Sequence, residues 1–241
     1  MSPFALRPGH DAAALAKAFA DGGGRLQIVD FLRHDTALAL FRALMESDAW
    51  RLAVNRGEQV IDRPLAEVAG WPADRQADFD REVVEAGRDG FQFRYETIRL
   101  PEYGPGWEQG APPLLQAFVD FMSSDGVIGL LSEITGRGDI AFADGHASRY
   151  RAGHFLTAHD DSNVDMGRRA AYVLNLTPQW RPDWGGALLF YDERGNIARG
   201  FTPSFNTLNL FRVPQPHSVG WVTPLAGAPR YAVTGWLRAR E

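Results

Sequence analysis

From about residue 145 onward, the chain reads as a succession of short apolar segments separated by turn residues, and this pattern limits its fold more than any other feature. Candidate strands fall at 147–151, 155–159, 171–177, 187–191, 206–211, 217–222 and 230–237, broken by Gly, Pro, Asn and Asp. Strands this short and this regularly spaced suit an antiparallel sandwich or jelly roll. The first half reads differently. Asp11 is placed to cap a short Ala-rich helix that ends near Gly22-Gly23-Gly24, and 26–30 reads as a first strand. Asp35 opens a second helix with Leu38, Phe41, Leu44 and Met45 on one face. A polar helix follows over about 73–86, and Phe91 to Tyr95 alternates like a half-buried strand. Pro113 suits the first turn of a helix whose Leu114, Leu115, Phe118 and Phe121 form an apolar stripe. Helices gathered ahead of the strands are expected to pack on one outer sheet. The expected class is therefore mainly β with flanking α. No internal repeat is visible, so one domain is expected over 1–241, with helical support over about 1–140 and core strands over about 145–238.

Composition narrows the chemistry. With 241 residues, 45% hydrophobic and 23% charged, the chain can bury a full core. No apolar run reaches the roughly 18 residues of a membrane span, and the N-terminus lacks a basic-then-apolar leader. Cysteine is absent, so disulfides and thiolate metal ligands are excluded and only His and carboxylate ligands remain. A reducing, cytoplasmic setting fits, and no membrane association is expected. A net charge of -5 with scattered arginines argues against direct nucleic-acid binding.

Within the strand-rich half, His159 and Asp161 stand two apart, His217 opens a later strand and Arg230 opens the last. Two histidines and one carboxylate are the protein ligands of the facial triad that holds non-haem Fe(II) and leaves three positions open. On a strand, an H-x-D pair projects to one face, with Asp160 turned away. Such a pair alone is a weak signal, and its strength comes from its partners. An arginine can grip a carboxylate through two parallel hydrogen bonds. Together the four residues suggest an iron site that also binds a dicarboxylate co-substrate.

The stretch Tyr150-Arg-Ala-Gly-His-Phe-Leu-Thr-Ala-His159-Asp-Asp161 resembles the Y-x-x-G-x-F-L-x-x-H-D-D segment of 2-oxoglutarate- and iron-dependent prolyl hydroxylases. Arg168 to Leu176 and Trp184-Gly185-Gly186 to Phe190 look like the strands and Gly-Gly turn that follow it. The likeness is strongest to the branch of prolyl-4-hydroxylase-like proteins that modify a ribosomal protein. It implies a double-stranded β-helix (jelly roll) with N-terminal helices packed on one sheet. It also implies Fe(II) held by His159, Asp161 and His217, with Arg230 gripping the far carboxylate of 2-oxoglutarate and ascorbate as an accessory cofactor. Tyr150 matches a tyrosine that hydrogen-bonds the co-substrate. Asn175 stands where a second such tyrosine is expected, and Thr234 shares the strand face of Arg230. The implied activity is O2-dependent hydroxylation of a C–H bond with release of succinate and CO2. The substrate expected by analogy is a prolyl residue of a protein, and segments 54–61 and 101–110 are the lid candidates. Hydroxylation of a free amino acid or small metabolite is the alternative within the class. A non-oxidative cupin-like metalloenzyme, or a non-catalytic binding module, is the alternative outside it, and Arg230 and the intact triad count against both.

Other residues read as structural. His154 is expected to face away from a metal, and His146, His10 and His34 have no spaced partner. Gly22-Gly23-Gly24 and Gly185-Gly186 lack the strand–loop–helix context of a phosphate loop. Trp180, Trp184 and Trp221 suit sheet packing better than ligand binding.

Overall fold

The computed structural model describes residues 2–57, 59–100, 111–162 and 166–240. In chain order, the first part contains α1 (Ala12–Asp21), β1 (Arg25–Ile28), α2 (His34–Glu46), β2 (Arg51–Arg56), β3 (Gln59–Pro64), α3 (Leu65–Ala69), α4 (Ala73–Asp89), β4 (Phe93–Ile98), α5 (Pro113–Met122) and α6 (Asp125–Thr135). The second part is strand after strand: β5 (Phe142–Ala143), β6 (His146–Tyr150), β7 (Phe155–His159), β8 (Arg168–Asn175), β9 (Leu188–Tyr191), β10 (Ile197–Phe201), β11 (Thr207–Arg212), β12 (His217–Val219) and β13 (Arg230–Arg238).

All ladder pairings among the described strands are antiparallel. The order β1-β11-β8-β13-β6-β4 forms one sheet, and β4 continues through β7 to β12, β9 and β10, so the strands wrap into a nearly closed barrel. The jelly-roll expectation holds. Chemistry and local sequence explain the helices. Asp11 Oδ1 accepts from the Ala14 N–H at 3.0 Å and caps α1. Pro113 starts α5, where its missing N–H costs nothing. In α2 the buried face is Ala37, Leu40 and Leu44, with Met45 exposed, so the apolar stripe lies about one position from the expected one.

One face of the long sheet, through Tyr172, Leu174, Leu208, Leu210, Tyr231 and Val233, packs against α1, α2, α5 and α6 in a single core. Full burial of each such side chain stabilises the fold by roughly 1.5–3 kcal/mol. The other face is lined by smaller residues such as Ala171, Val173 and Ala232, which leave room inside the barrel. Helix α4 covers a separate cluster of Leu52, Val54, Val83 and Phe155. Of the two lid candidates, 54–61 is the β2–β3 hairpin with Val54 opposite Ile61, and 101–110 lies outside the described residues. The hairpin escapes a pattern reading because its Arg, Asn, Gln and Asp residues break the apolar alternation.

Candidate active site

Inside the barrel lies a cavity of about 360 Å³, and His159, Asp161, His217, Arg230, Tyr150 and Thr234 all border it. His159 closes β7 and His217 opens β12, and the two residues face each other across the ladder. Between them and the Leu156–Val219 pair, β7 carries one extra residue, a bulge that turns both Leu156 and His159 toward the cavity. Asp161 does not project by strand alternation as expected. The strand has ended, and Asp161 sits in a turn with φ 60°, a left-handed conformation uncommon for a residue with a side chain. Asp160 makes that turn: its Oδ1 accepts from the Ser162 N–H at 2.9 Å and the Ser162 hydroxyl at 2.6 Å.

The three ligand groups converge. His159 Nε2 is 3.4 Å from Asp161 Oδ1, and His217 Nε2 is 3.5 Å from Asp161 Oδ2. One donor atom from each residue lies within 4.8 Å of the others. Metal bonds of about 2.0–2.2 Å in neighbouring positions would draw such atoms to roughly 3 Å apart, so the set is nearly preformed. Each histidine is oriented by its own backbone: Nδ1–H of His159 donates to the Thr157 carbonyl at 3.0 Å, and Nδ1–H of His217 to the Gln215 carbonyl at 2.8 Å. This tautomer leaves both Nε2 lone pairs for a metal. Burial, with the nearby His159 charge, pushes the His217 pKa down to about 4, so its imidazole is neutral and ligand-ready at neutral pH. Burial opposes charge on Asp161, but hydrogen bonding to His159 and the proximity of His217 hold its pKa below the ordinary value. The donor set and its protonation fit a divalent metal of the Fe(II) type.

Arg230 supplies the second half of the site. It is only 2% exposed, and its Nε and Nη1 are buried without a hydrogen-bond partner. Nη2 reaches Asn175 Oδ1 at 3.4 Å. Burial lowers the Arg230 pKa, with Tyr150 opposing that shift, yet a guanidinium stays charged at any physiological pH. A buried cation with two unused donors facing a cavity is a place made for an anion. Tyr150 lies opposite Arg230 on β6, with its ring 5.3 Å from the guanidinium and stacked on Tyr95 at 5.3 Å. Asn175 is fully buried behind the guanidinium and holds Arg230 instead of lining the cavity. Thr234 borders the cavity but donates its hydroxyl hydrogen to the Tyr172 carbonyl at 3.1 Å. Gly185, with φ 71°, follows a 3-10 turn, and a Cβ there would collide with the Trp221 carbonyl oxygen. Gly186 packs beside the Arg230 stem.

Several cavity residues were not anticipated. His146, Tyr95, Arg99, Arg168 and Trp236 all line it. Arg168 was hidden by a second bulge, since β13 Leu237 pairs with Ala170 and Arg238 with Arg168, leaving Arg169 extra. Period-two reading would have put Arg168 on the opposite face from Ala171 and Val173. His154 is buried outside the cavity, as expected. Trp180 packs edge-on to Trp184, Trp221 stacks on Phe155, and none of the three tryptophans lines the cavity.

Residues 145–238 match the model of the 2OG-Fe(II) oxygenase superfamily. That stretch, less than half of the chain, is similar to 2OG-Fe(II) oxygenases. Mouse prolyl 3-hydroxylase OGFOD1 is 32% identical over 114 residues, which cover 44% of this chain and 20% of that protein. The chain therefore spans about a fifth of the length of this relative. A Pseudomonas putida prolyl-4-hydroxylase shares the fold with a TM-score of 0.60 at 20% identity, covering 96% of this chain and all of that one. A Trichoplax adhaerens prolyl hydroxylase, solved with a hypoxia inducible factor peptide fragment, gives 0.57 at 18% identity, covering 95% and 89%.

Proposed function

We propose that the chain is a 2-oxoglutarate- and Fe(II)-dependent dioxygenase that hydroxylates a prolyl residue in a protein. The observation that carries this reading is the buried Arg230 guanidinium, with Nε and Nη1 unpartnered, in the same cavity as the His159–Asp161–His217 triad. A buried cation beside a metal anchors an anion, which is what a dicarboxylate co-substrate chelated at the metal requires. Bound iron supplies O2 activation, with 2-oxoglutarate and O2 consumed to give succinate and CO2 as one oxygen atom enters the substrate C–H bond.

The protein's own residues bind and orient. The Nδ1–H groups of His159 and His217 donate to backbone carbonyls, which orients both rings with Nε2 toward Asp161. Arg230, steadied by Asn175, takes the distal carboxylate of 2-oxoglutarate through Nε and Nη1. Burial raises the Tyr150 pKa, so its phenol remains a proton-bearing donor beside that carboxylate. Leu188, Phe211 and Val219 give the cavity apolar walls that exclude water. At its mouth, Val60 of the β2–β3 hairpin and Phe91 are 54% and 49% exposed, and Phe91 lies against His159. Exposed apolar side chains at a cavity mouth favour a polypeptide over a small polar metabolite. A ribosomal protein is the candidate that the sequence resemblance supports.

Coupled turnover tests the proposal. The enzyme should add about 16 mass units to a prolyl residue of a polypeptide, in step with succinate release, while free proline reacts poorly because it offers few remote contacts. Efficient hydroxylation of free proline or another metabolite, with none on any polypeptide, would overturn the substrate reading and leave the oxygenase reading intact.

A further inference from the structure

The ligand Asp161 is held in an unfavourable conformation, and something must keep it there. For a residue with a Cβ, the left-handed region costs roughly 1–2 kcal/mol, so an unrestrained Asp161 would relax to negative φ and swing its carboxylate away from the two histidines. Three contacts oppose that rotation. The Asp160–Ser162 turn spans it, and the Gln215 N–H donates to the Asp160 carbonyl at 3.1 Å. The third comes from β8: Arg168 Nη1–H donates to the Asp161 carbonyl at 3.1 Å, and the same nitrogen lies 4.0 Å from Asp161 Oδ1. Arg168 is itself fixed, with its guanidinium 3.7 Å over the Trp236 ring and Nη2 3.5 Å from Met166 Sδ. The β8 bulge exists at the one position that turns Arg168 inward.

We propose that Arg168, braced on Trp236, is the positioning residue of the metal site: it locks the Asp161 peptide in its left-handed turn so that the carboxylate faces both histidine Nε2 atoms before metal arrives. The inference rests on the triad reading, and deepens it by assigning a residue that is not one of the three ligands. Arg168 acts through the ligand backbone, in contrast to Arg230, which addresses the co-substrate. Loss of an outer contact of this kind typically weakens metal binding by roughly 10- to 100-fold.

The test is Mn(II) titration of the full chain, read by loss of the free-ion paramagnetic resonance signal, with no turnover involved. Arg168→Met keeps an unbranched stem against Trp236 but removes the donors, and Mn(II) affinity should fall by about 10-fold or more. Arg168→Lys keeps charge and one donor point, and should fall less. Thermal unfolding of the metal-free variants should stay close to that of the wild type, which a mere packing role would not combine with lost affinity. His217→Ala serves as the control for the triad itself. If His217→Ala loses Mn(II) while Arg168→Met binds it as tightly as wild type, the Arg168 assignment is wrong and the triad stands. If His217→Ala also binds normally, the triad reading falls first. Should Arg168→Met not fold, Arg168→Lys decides alone: unchanged Mn(II) affinity refutes the role, and a reduced one supports it.

Discussion

Arg230 offers the sharpest prediction, because one substitution should move two properties in opposite directions. Its guanidinium is 2% exposed, with two of its three nitrogens unpartnered and Asn175 as a distant neutral neighbour. A charge left in that state destabilises the empty protein and serves only when an anion fills the cavity. Replacing it with methionine keeps most of the stem volume and removes the charge. The metal-free and co-substrate-free protein should gain about 1–2 kcal/mol, which for a chain this long raises Tm by roughly 2–8 °C. The same change deletes a two-pronged, charge-assisted contact made in a desolvated site, at a cost of roughly 2–4 kcal/mol. Affinity for 2-oxoglutarate, measured by calorimetry with Mn(II) in place of iron, should therefore fall by about 30-fold or more. Arg230→Lys should be intermediate, keeping the charge but losing the fork. Mn(II) affinity without 2-oxoglutarate should not change. If Arg230→Met bound 2-oxoglutarate normally, or melted well below wild type without ligand, the anion-site reasoning would be refuted.

Further expectations can be checked separately. Gly185→Ala puts a Cβ against the Trp221 carbonyl in a left-handed backbone, and should cost at least about 2 kcal/mol in urea unfolding. Burial, with Arg99 adding to it at His146 and Arg94 at His154, pushes both pKa values down to about 3, against 6.5 for an ordinary histidine. Between about pH 6.5 and 3 these two histidines bind up to two more protons in the unfolded chain than in the folded one, so their contribution to stability falls as pH is lowered through that window, by up to about 3 kcal/mol per pH unit. His154→Phe should flatten the slope of unfolding free energy against pH by up to about 1.4 kcal/mol per unit, and an unchanged slope would contradict the assignment. Asn175→Ala, which removes the Oδ1 acceptor of Arg230 Nη2, should weaken 2-oxoglutarate binding without touching Mn(II) binding in the same calorimetric series.

The sequence made the architecture readable wherever periodicity was clean. β7 runs over 155–159 as expected, and the other strands expected after it fall within a few residues of their places, because each is a short apolar run ended by a turn residue; β10 was not expected, since its Arg and Gly break the apolar pattern. What stayed hidden lies where periodicity breaks. The β2–β3 hairpin is too polar to alternate, and α6 was missed although Gly136 ends it in a left-handed cap. The site shows the same division. His159, Asp161, His217, Arg230 and Tyr150 all border one cavity; residue type and order singled out the first four, and the family resemblance Tyr150. The turn at Asp161 and the inward face of Arg168 depend on one extra residue in β7 and one in β8, and pairing register is a tertiary property no single strand encodes.

The central claim is that one metal and one dicarboxylate meet in this cavity, the second depending on the first. Native mass spectrometry of the intact chain with Mn(II) and 2-oxoglutarate measures this directly. The account predicts one Mn(II) and one 2-oxoglutarate per wild-type chain, neither strongly retained by His159→Ala or His217→Ala, and Mn(II) alone retained by Arg230→Met. Full retention of Mn(II) by both histidine variants, or equal 2-oxoglutarate binding with and without Mn(II), would contradict it.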